Sequence, residues 1–276
     1  MRHGWPSIDF YAQNNASVRA ETSRPTYVAE VVLIAGPVGA VLCVMGIRRL
    51  WRDPSFRTLA VAAGAVVAIF FVLGGKSYYP APIAPLLLAA GAVQVEAHRA
   101  ERGVRRFAIA TCVAAVVISP LMLPVLPQQT MIDVGLASAR KDYAAQIGWP
   151  ELAAQTAAAL HSLPPDEQAG AAILTSDNAE AGAVDLFEPQ LPEAASVDRL
   201  YRYWPPGRPG ATVVVTVGLT RELLGARCAS FTEVARVVNP AGDDNDENGE
   251  TIGICHTTAD LASLWRAVTA DAIALR

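Results

Sequence analysis

The stretch LAVAAGAVVAIFFVLGGKSYYPAPIAPLLLAAGAVQV, Leu59–Val95, decides how the first half of this chain is read. Its two apolar runs, Leu59–Leu73 and Ala81–Val95, carry no charge, and the turn between them holds one Lys and two Tyr. About 20 apolar residues cover a ~30 Å hydrocarbon core, and helices satisfy all of their own backbone polar groups there. Both runs are short by that standard. Pro80, Pro82 and Pro85 predict irregular first turns in the second of them. Two further apolar runs, Val28–Ile47 and Phe107–Val125, lie on either side. The expected fold class is membrane α-helical, with about four transmembrane helices followed by a small α/β extracytoplasmic domain.

Charge supports the same division. Of the 276 residues 52% are hydrophobic and 17% charged, and mean hydropathy is +0.29, which excludes a disordered chain and a disulfide-dense mini-protein. The net charge of -4 hides an asymmetry: residues 1–127 sum to +6 and residues 128–276 to -10. Arg48, Arg49, Arg52 and Arg57 lie between the first two runs, and Arg99, Arg102, Arg105 and Arg106 between the last two. The positive-inside rule predicts both clusters to be cytoplasmic. The expected organisation is an extracytoplasmic loop segment at 1–27, a four-helix transmembrane region at 28–127 and a soluble extracytoplasmic α/β domain at 128–276. Residues 1–27 lack the apolar core of a cleavable signal peptide. Nothing in the charge pattern points to nucleic acid.

The acidic half alternates helical and strand patterns. Ile132–Leu160 reads as two helices broken at Gly148–Pro150. Ala171–Thr175, Thr212–Val217 and Thr251–Cys255 suit buried strands, with helices over Ser176–Phe187, Thr220–Arg227 and Asp260–Ala272. Such alternation predicts a layered α/β sheet. Asn239–Glu250 is a polar, acidic loop. Cys43 and Cys112 lie in apolar runs as packing residues. Cys228 and Cys255 are a candidate disulfide pair, equally readable as two free thiols, because the sequence does not show their separation. The four His are scattered, so no metal site is expected.

The turn Gly74–Pro80 is the most informative candidate site. Lys76 can hold phosphate as a point charge, and the hydroxyls of Tyr78 and Tyr79 can donate to its oxygens. The competing reading is an aromatic belt with a snorkelling lysine. Gly74-Gly75-Lys76-Ser77 lacks the upstream glycine of a P-loop. Trp5, Tyr203 and Trp204 are candidate substrate-facing or surface aromatics, with core packing as the alternative. Asp9, in the first segment, is a weak candidate for a catalytic base. Glu180 and Asp185 lie five residues apart on one expected helix and so do not share a face.

A family resemblance runs along the chain. GGKSYYPAPIAPLLLAAGA (Gly74–Ala92) resembles the segment before a late membrane helix in bacterial GT-C glycosyltransferases. HGWPSIDFYAQNNAS (His3–Ser17) resembles the loop preceding their last helices. TSDNAEAGAVDLF (Thr175–Phe187), LPEAASVDRLYRYWPPGRPGATVVVTVG (Leu191–Gly218) and NDENGETIGICHTTADLASLWRAV (Asn245–Val268) resemble successive stretches of their soluble part. The group is that of dolichyl-phosphate-mannose-protein mannosyltransferase-like proteins and the aminoarabinose transferase, relatives of glycosyltransferase family 39. Where its pattern has His-Asn before Tyr-Trp, this chain has Val197-Asp198-Arg199-Leu200.

The resemblance implies the C-terminal portion of an inverting, polyprenyl-phosphate-sugar-dependent membrane glycosyltransferase. The family's acidic catalytic loop has no counterpart here, so the chain is expected not to be catalytic alone. Its implied partners are membrane lipids, a polyprenyl-phosphate-linked sugar and a separate N-terminal transferase half. No cofactor is expected beyond a divalent cation in the complete enzyme, and the implied location is the bacterial inner membrane. The alternative is a non-enzymatic, membrane-anchored α/β binding module.

Overall fold

The structure is a computed structural model describing residues 23–97, 102–123, 125–139, 141–198 and 201–274. It divides into two compact units, Met1–Ser119 and Pro120–Arg276.

The first unit is helical. Helix α1 (Arg24–Arg52) is followed by α2 (Arg57–Leu73), α3 (Ala84–Ala97) and α4 (Arg102–Met122), which runs across the boundary between the units. Ser23 caps α1 by accepting from the Thr26 N–H at 3.3 Å. Gly36 then leaves the helical region at φ 68, and the two halves of α1, Arg24–Gly36 and Val38–Arg52, are bent by 97°. The residue after Gly36 is Pro37, which has no N–H to donate and forces its predecessor out of the α region. Gly36 tolerates the positive φ because it has no Cβ.

These geometries correct the expectation of four transmembrane helices. Among the described residues, no single helix is long and apolar enough to cross a membrane, and only the bent α1 pair passes on length and composition. Helix α2 has 17 residues, about 26 Å at 1.5 Å per residue. The third run spends its proline-rich start on a 3₁₀ turn, Ala81–Ile83, which leaves 14 residues for α3. Helix α4 begins with Arg102, Arg105 and Arg106 in its first turn and a half. Hydropathy alone counted residues across these breaks and caps. The chain as a whole has a mixed α/β fold.

Helices α1 and α3 cross at two glycines. A Cβ on Gly46 would sit 2.0 Å from the Leu87 carbonyl oxygen, and one on Gly91 2.2 Å from that of Leu42. The two backbones therefore touch, and Leu50, Ala60, Ala63 and Leu87 form the small buried cluster beside this crossing. Much apolar surface remains outside: Val61, Val72, Val116 and Val117 are all more than half exposed.

The second unit opens with three short helices, α5 (Gln128–Asp133), α6 (Leu136–Ala139) and α7 (Lys141–Ala144). Then follow α8 (Trp149–His161), α9 (Pro165–Gln168), β1 (Ala172–Thr175), α10 (Asn178–Phe187), β2 (Ala194–Ser196), β3 (Val213–Val217), α11 (Arg221–Leu224), β4 (Cys228–Arg236), β5 (Thr251–Thr257) and α12 (Leu261–Ala274). The sheet order is β2-β1-β3-β5-β4, with β2, β1 and β3 mutually parallel and β5 antiparallel to both β3 and β4. Strands β1 and β3 are buried along their whole length, as expected for central strands covered on both faces. Ile173, Val215 and Ile252 pack on one face with Leu152, Leu160 and Val184 of α8 and α10. Leu174, Val214 and Cys255 pack on the other with Leu224, Leu261, Leu264 and Trp265 of α11 and α12. The period-2 alternation of these strands thus builds a helix–sheet–helix sandwich.

Cys228 and Cys255 form a disulfide between β4 and β5, closing a separation of 27 residues. Replacing both by alanine should cost about 2–5 kcal/mol of stability. Denaturant midpoints of the oxidised chain and the double variant measure this, and equal midpoints would refute it.

Candidate functional site

The Lys76 turn is built from the end of α2. Gly74 takes the left-handed conformation at φ 71 that closes a helix, and the Gly75 N–H returns to the Phe70 carbonyl at 2.9 Å. A Cβ on Gly75 would meet Phe70 and Tyr79 carbons at 2.9 and 3.0 Å, so glycine is required for the turn to lie against both rings. The Tyr79 N–H donates to the Lys76 carbonyl at 3.1 Å, and the Ala81 N–H to that of Tyr78 at 3.0 Å. This succession of tight turns leads into the 3₁₀ segment and α3.

The side chains divide by role. Tyr79 is half-buried, with its ring 5.3 Å from Phe70 and 5.2 Å, edge-on, from Tyr78. Tyr78 is 51% exposed. Lys76 is exposed, its Nζ 5.9 Å from the Tyr78 ring centre. Lys76 and Tyr78 therefore present a charge and a phenol to the surroundings, and Tyr79 anchors the turn.

The structure adds Arg24 and Tyr27, which sequence reasoning missed. The Arg24 guanidinium lies 5.4 Å from the Phe71 ring centre, and the buried Tyr27 ring meets Phe71 edge-on at 5.8 Å. Arg24 and Lys76 thus flank the same end of α2. Their separation of some fifty residues in sequence gave no local signal. Beneath the turn lies an apolar cavity of about 360 Å³. Val31, Ile34, Cys43, Val44, Val67 and Leu88 line it where α1 bends, with Ser77 and Pro80 also in its wall.

The other candidates do not join this cluster. Trp5 and Asp9 lie outside the described residues. Tyr203 and Trp204 belong to the second unit, at a 3₁₀ turn after edge strand β2. Trp204 is 65% exposed there, with Tyr201 and Tyr203 at 6.3 and 6.5 Å. The acidic loop is clamped by buried amides: Asn239 and Asn245 donate to the carbonyls of Ile147 and Ala144, each at 2.7 Å. Among the described residues, no group of three or more His, Cys, Asp or Glu side chains is arranged to hold a metal ion. On the sheet, His256 touches Ser230 at 3.0 Å and Glu167 at 3.4 Å, which ties the α9 turn to β5 and β4.

Glu180 and Glu250 are brought together although they stand 70 positions apart in the chain. Glu180 is 1% exposed and belongs to a capping box at the start of α10, where its side chain accepts from the Asp177 N–H at 3.0 Å. Burial, then the hydrogen bond and charge of Glu250, push the Glu180 carboxyl up to about 10. The bonds from Asp177 and Ser176 pull the other way and do not prevail. Burial, reinforced by neighbouring carboxylates, also raises Glu247. Asp185 is used elsewhere, accepting from the Ala194 N–H at 2.9 Å.

Comparison with protein-family models, with curated proteins and with solved structures found no match for this chain.

Proposed function

We propose that this chain is the C-terminal, lipid-phosphate-holding part of a polyprenyl-phosphate-sugar-dependent glycosyltransferase of the bacterial inner membrane. One observation carries the reading: two cations and an exposed phenol share one end of an apolar helical unit, above an apolar cavity. Lipid-linked phosphate has the matching chemistry, an anionic head on an isoprenoid chain. Lys76 and Arg24 would bind the head as point charge and planar fork, and Tyr78 would donate a hydrogen bond. Charge that develops on the phosphate as the sugar departs would be stabilised by the same two cations. The base that activates the acceptor is assigned to a separate N-terminal transferase half.

The reading requires the helical unit to lie in lipid, and it does not require four separate spans. The exposed valines of α2 and α4 support lipid contact, because such surfaces are seldom left to water. An extracytoplasmic position for the second unit is supported by the Cys228–Cys255 disulfide, which persists in oxidising compartments.

The test is polyprenyl-phosphate binding by the purified chain in nanodiscs. Lys76→Ala should weaken it about tenfold or more, the loss expected for one charge-assisted contact of at least ~1.5 kcal/mol. Unchanged affinity would sink the reading. It would leave the helices and the α/β unit as a membrane-anchored binding module.

A further inference from the structure

A second feature, independent of the Lys76 turn, lies at the carboxyl ends of the central strands β1 and β3. After β1 the chain enters α10 on one face, with Ala181 and Val184 in that face's core. After β3 it turns to the opposite face, where Leu219 and Leu224 are buried. The gap between the ends of two such strands is where open α/β sheets receive ligands. Here the gap is filled by the chain's own side chains. A Cβ on Gly218 would lie 2.3 Å from Ser176 Oγ and 2.9 Å from Glu250 Oε2.

Behind Gly218, the Glu180 carboxylate accepts from Ser176 Oγ at 3.1 Å and from the Asp177 N–H at 3.0 Å. It also faces the Glu250 carboxyl within hydrogen-bonding reach. Glu250 Oε2 is buried and has no donor unless a proton is held between the two groups. Glu250 ends the acidic loop, whose two ends are tied by the Val237 N–H to the Glu250 carbonyl and the Gly249 N–H to the Val237 carbonyl, both at 2.8 Å.

We propose that Glu180 and Glu250 are a proton-locked latch. One proton shared by the two carboxyls holds the Glu250 end of the acidic loop over Gly218 in the gap between β1 and β3. Its loss releases that end and uncovers the gap, while the Asn239 and Asn245 amides keep the rest of the loop in place. Apart from the Ser176 hydroxyl and the Asp177 N–H, which already bond Glu180, the surroundings give a second negative charge no relief. Asp177 at the helix start and Asp246 and Glu247 on the loop are acidic. Arg236 on β4 is engaged by Glu233 and the Gly249 carbonyl, and Arg221 of α11 is exposed to solvent. Two carboxylates in contact repel, so the weaker attachment yields. Glu180 is fixed by its capping box, whereas Glu250 sits at the end of a loop.

Hydrogen exchange of the full chain from pH 6 to pH 10, corrected for the intrinsic pH dependence of exchange, tests this. In the wild type, protection of the Val237 and Gly249 amides should fall at least tenfold further than that of the Val215 amide inside β3, which follows the stability of the whole unit. Glu180→Gln and Glu250→Gln each place a permanent donor between the two groups, so either variant should keep the loop protected throughout. A flat wild-type profile would overturn the latch. So would loss of protection in the folded variants as in the wild type, or loss at Val215 in step with the loop, since that is global unfolding.

Discussion

Gly91→Ala is expected to lower the thermal unfolding midpoint of the helical unit, and Gly46→Ala to do the same. Alanine inside a helix is normally better than glycine by about 1 kcal/mol. At these two positions the sign reverses, because the added methyl would meet the Leu42 or Leu87 carbonyl oxygen at 2.2 or 2.0 Å. Those atoms are backbone and cannot rotate aside as a side-chain end would. Overpacking of this kind costs about 1–3 kcal/mol, and forcing two helices apart also exposes the Leu50–Leu87 cluster. Gly64 is the internal control, since a Cβ added there would have nothing within 4 Å. Gly64→Ala should hold or raise the midpoint that Gly91→Ala lowers. Equal midpoints for the two variants would show that α1 and α3 do not meet as described.

Glu180→Gln is expected to flatten the pH dependence of stability in the second unit. The sign follows from the folded carboxyl sitting at about 10, far above the ordinary 4.5. The folded state holds a proton that the unfolded state has already released. The contribution is therefore fully present below pH ~4.5 and is lost steadily as pH rises towards ~10. The slope is up to ~1.4 kcal/mol per pH unit. Glutamine keeps the acceptor for Asp177 and the donor towards Glu250 with no charge to titrate. Wild-type midpoints should fall from pH 5 to pH 9, and those of Glu180→Gln should fall much less. The remaining slope has the same sign, because Glu247 is also raised. Parallel profiles would contradict the burial of Glu180 beside Glu250.

Both effects rest on contacts with unequal sequence signals. The central strands were legible: Ala172–Thr175 and Val213–Val217 are short apolar runs between turn residues, and β5 begins at the expected Thr251. Strand β4 was not, because Cys228–Arg236 is an edge strand whose residues are all exposed or half-buried. Three-residue β2 is too short to show a period. The break in α1 was written in the sequence as Gly36-Pro37, yet apolar composition on both sides outweighed it. The Lys76 turn was visible as a motif because its parts are consecutive. Arg24 reaches the same end only through the fold, and Glu250 reaches Glu180 only because β5 starts beside β3. Inspecting spacing along one helix compared Glu180 with Asp185 and missed the true neighbour.

The reading of the Lys76 turn as a holder of lipid-linked phosphate is tested most directly by photolabelling. The full chain in nanodiscs would be exposed to a polyprenyl phosphate carrying a diazirine near its head, and the labelled peptides identified by mass spectrometry. Labelling should concentrate in residues 24–44 and 67–88, be competed by unlabelled polyprenyl phosphate and not by polyprenol, and fall with Lys76→Ala. Labelling confined to residues 120–276, or competed equally by polyprenol, would contradict it.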